Sequence, residues 1–184
     1  MKRKTAKEIL AESFQELAET KPIDKITVKD ITDNCGYSSA TFYRQFKDKY
    51  DLIAWQYSRG IEEIMNRIGI DDYEWRQSLI DAAIHFQGNK EYLANLLLNT
   101  SGYDSFLAYM TEANYKELKR FILKNNGNRE LDKKTQMYAR LYCMGTVCLT
   151  CEWILEKFEA TPEEMAEIYE NSLPVPLHPY LLRK

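Results

Sequence analysis

The sequence predicts an all-α protein, on three observations. Apolar residues recur at helical spacing along most of its 184 residues. Glycine and proline number only seven and five, and three of the prolines fall in the last segment, so few interior positions break a helix. No stretch alternates apolar and polar residues for long enough to make a strand.

The elements follow in order. Helices are expected at about 5–20, 28–34, 39–45, 49–68, 73–87, 90–99, 104–125, 132–158 and 162–171. Their starts are marked: Thr5, Thr27 and Asp48 each stand three residues before an acid, the spacing of an N-cap and its capping partner. Thr161 does the same, with Pro162 at the first helical position. The first helix carries Ala6, Leu10, Phe14 and Leu17 on one face, which can cover Val28, Ile31, Phe42 and Phe46. The fourth shows Ile53, Tyr57, Ile61, Ile64 and Ile68, and links this small unit to the rest. The stretch 138–155 is apolar nearly all round, so one side faces the core and the other a second subunit. The tail NSLPVPLHPYLLRK is too rich in proline for a regular helix. Its Leu173, Val175, Leu177, Tyr180, Leu181 and Leu182 predict packing onto the body. The boundary between domains is placed at 50, giving 1–50 and 51–184.

Charge is unevenly distributed. The whole chain carries −3, yet residues 1–50 hold ten basic and eight acidic side chains. Basic groups gather at Lys2, Arg3, Lys4 and Lys7, and again at Arg44, Lys47 and Lys49. No run reaches the roughly 18–20 apolar residues of a membrane span, and the N-terminus lacks a signal-peptide core, so a cytoplasmic location and no membrane partner are expected.

The stretch Thr27–Leu52 carries the function. Two short helices meet at a turn centred on Gly36, the spacing of a helix-turn-helix whose second helix enters the DNA major groove. That second helix presents Ser39, Thr41, Tyr43, Arg44 and Gln45, followed by Lys47 and Lys49. Thr27 at a helix N-terminus makes a ready phosphate site. Lys49 in the first turn of the next helix is unfavourable with the helix dipole, a penalty a phosphate would offset. Arg44 can contact guanine with two hydrogen bonds, and Gln45 can pair with adenine.

The stretch ITVKDITDNCGYSSATFYRQFKDKYDLI resembles the tetracycline-repressor (TetR) family of transcription regulators in order and spacing, over about residues 5–55. The resemblance implies a homodimer, an N-terminal unit bound to double-stranded DNA at an approximately palindromic operator, and a C-terminal domain holding a small effector. Carried over by position, Thr27, Thr41, Tyr43 and Lys49 imply contacts to the DNA backbone, and Ser39, Ala40, Arg44 and Gln45 imply contacts to base edges. Ser38 and Lys47 complete the set. The C-terminal half is similar to the branch that regulates dihydroxyacetone-kinase operons, some members of which act as coactivators with a partner protein. Two readings therefore stand: an effector-controlled DNA-binding regulator, most simply a repressor, or a coactivator or ligand sensor acting through a protein partner.

Amphipathic aromatics supply candidates for the effector site: Trp75, Phe86, Tyr103, Phe106, Tyr109, Tyr138 and Tyr142, with His85. Each also suits ordinary core packing. Gly145, Cys148, Glu152, Trp153 and Tyr169 are the candidate dimer face. The spacing of Cys143, Cys148 and Cys151 invites a metal or redox role, but zinc wants four ligands and the chain has two histidines, so packing is expected and no metal or cofactor. The chain lacks a phosphate loop, a glycine-rich dinucleotide turn and a clustered carboxylate pair, so no enzymatic activity is expected.

Overall fold

A computed structural model describes residues 3–101 and 105–182. Among these residues there are ten helices and no strand: α1 Ala6–Ala18, α2 Val28–Cys35, α3 Ser39–Gln45, α4 Lys49–Arg67, α5 Trp75–Gly88, α6 Lys90–Leu98, α7 Phe106–Asn125, α8 Lys133–Ile154, α9 Pro162–Asn171 and α10 His178–Leu181.

The helix starts obey their caps. Thr5, Thr27 and Thr161 form reciprocal capping boxes with Glu8, Asp30 and Glu164, each interaction of this kind contributing about 1 kcal/mol. Asp48 caps α4 through the Asp51 amide at 2.9 Å. Gly36 ends α2 with φ +72°, a left-handed conformation that glycine adopts without a Cβ clash. The Tyr37 amide then reaches back to the Thr32 carbonyl at 2.9 Å, and the chain turns into α3.

Three boundaries differ from the sequence expectation, each for a backbone reason. Helix α8 stops at Ile154 rather than 158, because Glu156 turns to φ +57° and the Lys157 amide closes onto the Glu152 carbonyl at 3.0 Å. Helix α5 starts at Trp75 rather than 73, because residues 69–73 form a tight loop with Asp71 and Asp72 at positive φ. The tail contains one true helical turn, α10, which follows a 3-10 turn at Val175–Leu177. Its Pro179 lies in the first turn, where the missing amide hydrogen is not needed. Leu173, Leu177 and Leu181 are buried against α7 and α8, while Val175 and Leu182 are exposed.

Helices α1–α3 enclose Leu10, Phe14, Ile31 and Phe42, all fully buried. This core does not stop at the expected boundary of 50. It runs on through Leu52 and Ile53 to Leu93 and Leu96 of α6, Met110 of α7 and Val147 of α8. A polar brace reinforces the junction. The Asn95 side chain of α6 donates to the carbonyls of Ala18 and Lys21 at 2.8 and 3.0 Å, and accepts from the Ile23 amide at 3.1 Å. It thereby satisfies backbone groups that the exit from α1 leaves open.

Candidate nucleic-acid interface and effector cavity

Helix α3 is anchored from below and open above. Phe42 and Phe46 are buried and fix the helix on α1 and α4. On the opposite side Ser38, Ser39, Ala40, Tyr43, Arg44 and Lys47 are exposed, with Thr41 and Gln45 half-buried at the margins. Tyr43 is 61% exposed, its ring edge held against Phe42 at 5.5 Å between centroids. Ser38 caps α3 through the Thr41 amide at 3.2 Å, and Arg44 Nη2 donates to Thr41 Oγ1 at 3.1 Å. Among the described residues neither the Arg44 nor the Lys47 side chain pairs with a carboxylate, although the Lys47 backbone amide donates to Asp51 Oδ2 at 2.9 Å. Lys4, Lys21, Lys25 and Lys29, by contrast, are each matched to an acid within the same unit.

Two side chains expected to contact phosphate, Thr27 and Lys49, have partners within the protein. The Thr27 hydroxyl donates to Asp30 Oδ2 at 2.8 Å and accepts from the Asp30 amide at 3.1 Å. The Asp30 carboxylate thus covers the α2 N-terminus, and the Lys21 ammonium, with the Thr27 amide and hydroxyl, holds it well below the usual carboxylate range. The Lys49 ammonium donates to the carbonyls of Ile23, Asp24 and Ile26 at 2.8, 3.1 and 2.9 Å. Those three oxygens offset the helix dipole that the sequence argument assigned to a phosphate, and partial burial lowers the Lys49 pKa. No sequence pattern marks the 3-10 turn Ile23–Lys25 that presents them.

The second site is a cavity of about 210 Å³ beneath α4 and α5. Each helix gives it one face: Ile53, Tyr57, Ile61 and Ile64 from α4, and Trp75, Leu79, Ala82, Phe86 and Asn89 along α5 and its end. Helix α7 adds Phe106, Met110, Asn114 and Leu118 at a strict spacing of four, and α8 adds Tyr142, Cys143, Thr146 and Val147. A 14-residue helix is about 21 Å long, so this volume spread along α5 is a narrow channel. Aromatic contacts brace its wall: Tyr57 lies edge-on to Phe106 at 5.4 Å and parallel to Phe86 at 6.5 Å. Asn114 donates to the Tyr57 hydroxyl at 2.6 Å. Burial pushes the Tyr57 phenol far above its ordinary value and raises the Cys143 thiol to about 12, so both stay protonated.

Of the expected effector residues, Trp75, His85, Phe86, Phe106 and Tyr142 meet at this cavity. His85 stands exposed at its rim. Tyr109 sits behind the wall, donating to the Ala54 carbonyl at 2.7 Å, and Tyr138 is half-buried elsewhere on α8. Tyr103 lies outside the described residues. Sequence reasoning missed Gln15, Gln56, Asn89 and Tyr92, which line the end of the cavity nearest α1. They belong to four elements, and no local pattern connects them.

Two family models match the chain: the bacterial regulatory proteins, tetR family, over residues 9–54, and a transcriptional regulator C-terminal region over residues 73–174. The chain belongs to the TetR family of transcription regulators. Among curated proteins none matches the sequence. Solved TetR-family folds superpose over nearly the whole length. The dihydroxyacetone kinase operon activator DhaS is 17% identical, with TM-score 0.63, covering 95% of this chain and 96% of the other. A TetR regulator from Streptococcus agalactiae 2603V is 18% identical, with TM-score 0.62 and coverages of 91% and 93%. FadR of Thermus thermophilus, a repressor in complex with lauroyl-CoA, is 20% identical, with TM-score 0.57 and coverages of 97% and 96%.

TetR-family regulators are typically dimers, and α8 of this one has a face suited to a second copy. Met137, Leu141 and Met144 are 64%, 65% and 52% exposed, and Gly145 and Cys148 lie open on the same stripe. Glu152 is half-exposed at its end. Trp153 and Tyr169 do not belong to this face. Both are buried within the protomer, Trp153 donating to the Ala160 carbonyl at 3.0 Å and the Tyr169 hydroxyl lying 2.6 Å from that of Thr150. Among the described residues no helix is long and apolar enough to cross a membrane, and no three His, Cys, Asp or Glu side chains cluster to hold a metal.

Proposed function

We propose that this chain is a homodimeric DNA-binding regulator that reads an approximately palindromic operator with α3 and responds to a small effector in the α4–α8 cavity. One observation carries the reading: the exposed face of α3 and the residues just after it concentrate Tyr43, Arg44 and Lys47, and among the described residues neither cationic side chain is in an ion pair. Arg44, with Gln45 beside it, reads base edges; Ser39 and Ala40 lie against the groove; Tyr43, Thr41, Ser38 and Lys47 contact phosphates. Thr27 and Lys49 support this face from behind by holding the α2 start and the 3-10 turn in place. Helix α4 carries the response, because it packs on α1 at one end and walls the cavity along its length. An effector that binds better in one arrangement of α4 shifts the spacing of the two recognition helices, releasing DNA as a repressor does.

The test is a salt titration of binding to the chain's own upstream DNA. Affinity falls steeply with salt, and Arg44→Ala weakens specific binding by about 1–3 kcal/mol. Salt-independent binding that Arg44→Ala leaves unchanged would refute direct DNA reading. It would favour a coactivator working through a protein partner, a reading supported by the internal use of Thr27 and Lys49.

A further inference from the structure

The end of the cavity nearest α1 is built from uncharged hydrogen-bonding groups, and one of them comes from the DNA-binding unit itself. Tyr92 donates to Gln56 Oε1 at 2.9 Å, Gln56 Nε2 to Gln15 Oε1 at 2.9 Å, and Gln15 Nε2 to Asn89 Oδ1 at 3.0 Å. Asn89 Nδ2 then donates to the His85 carbonyl at 2.8 Å. This head-to-tail chain ties α1 to α4, to the α5–α6 junction and to α6. Each amide in it retains a free N–H or a free lone pair for a ligand. Towards the other end the Trp75 indole, only 6% exposed, turns its Nε1 donor towards the Tyr142 hydroxyl without a well-aligned hydrogen bond. No Lys, Arg, Asp or Glu is among the described residues that line the cavity.

We infer that the cavity binds a narrow, uncharged molecule with an apolar body and an amide- or carbonyl-type polar head, and that Gln15 of α1 contacts that head directly. This rests on the proposed effector site and assigns its ligand class and its route to the DNA-binding unit. An ionised head would meet only the His85 imidazole as a counter-charge, and burial lowers that group's pKa towards its neutral form, whereas a neutral head exchanges bonds with the Gln15–Gln56 pair at little cost. Exchanging the Gln15–Asn89 bond loosens α1 from the α5–α6 junction, so occupancy reaches α1 without passing through α4 alone.

The probes are decanamide and decanoate, a matched neutral and anionic pair, titrated calorimetrically into the full chain at pH 8. Decanamide binds at least about tenfold more tightly. Gln15→Leu weakens decanamide by about tenfold, and in the unaltered chain the Gln15 side-chain amide resonances move on adding decanamide. That second readout stands even if Gln15→Leu folds poorly. Decanoate binding as tightly as decanamide, neither probe binding at millimolar concentration, or decanamide binding with unmoved Gln15 resonances overturns the inference. Salt-dependent operator binding measured on the same samples separates the two proposals. If it persists while decanamide fails, only the ligand assignment falls.

Discussion

Asn95→Leu removes the polar brace between α6 and the α1 exit while keeping the branched shape of the side chain. Three bonds that cross between segments disappear: those to the Ala18 and Lys21 carbonyls and from the Ile23 amide. A typical intramolecular hydrogen bond contributes about 0.5–1.5 kcal/mol net. Asn95 is half-buried, so water replaces part of what is lost, and the expected loss is about 2–3 kcal/mol. For a chain of this size that lowers the Tm by roughly 5–10 °C. Urea unfolding followed by far-ultraviolet circular dichroism measures the loss. Asn125→Leu is the control, because Asn125 donates only along its own helix, to Phe121 at 3.0 Å. A loss for Asn95→Leu no larger than that of the control would refute the idea that this side chain joins the DNA-binding helices to the body.

Lys49→Met lowers the Tm in the absence of DNA, because three carbonyls lose their donor, whereas Lys47→Met lowers only DNA affinity. Equal effects of the two on the Tm would return Lys49 to the role of a simple phosphate contact. The Thr5 amide and hydroxyl, and then Arg59, hold the Glu8 carboxyl down at about 2. A carboxyl lowered on folding adds stability that is present above its ordinary value of 4.5 and is lost as pH falls from there towards 2. Glu8→Gln therefore flattens acid unfolding in that window, as a pH series of thermal melts would register. A thiol reagent at pH 8 modifies Cys148, which is exposed on the α8 stripe, but not Cys143 or Cys151, whose thiols burial raises to about 12. Reaction at Cys148 slows as protein concentration rises if α8 is the dimer face; a concentration-independent rate would move that face elsewhere.

The local order of this protein was legible in its sequence. Capping boxes at Thr5, Thr27 and Thr161, the turn at Gly36 and the apolar faces of α1 and α4 are short-range signals, set by hydrogen bonds and periodicity within a few residues. They determined the helices, the helix-turn-helix and the residues exposed on α3. The exposed stripe of α8 was legible too, as an apolar surplus that one core could not absorb, but which of its residues faced outward was not. Trp153 and Tyr169 turn inward because Ala160 and Thr150 supply their partners. The occupation of Lys49 by three carbonyls depended on a 3-10 turn more than 20 residues away. The Tyr92–Gln56–Gln15–Asn89 chain depended on four elements meeting. Periodicity says which face of a helix is apolar, not whether that face meets another side chain or a cavity. Only the packing of α4 and α5 over α7 and α8 decided that their apolar stripes enclose space, and that a glutamine of the DNA-binding unit closes one end of it.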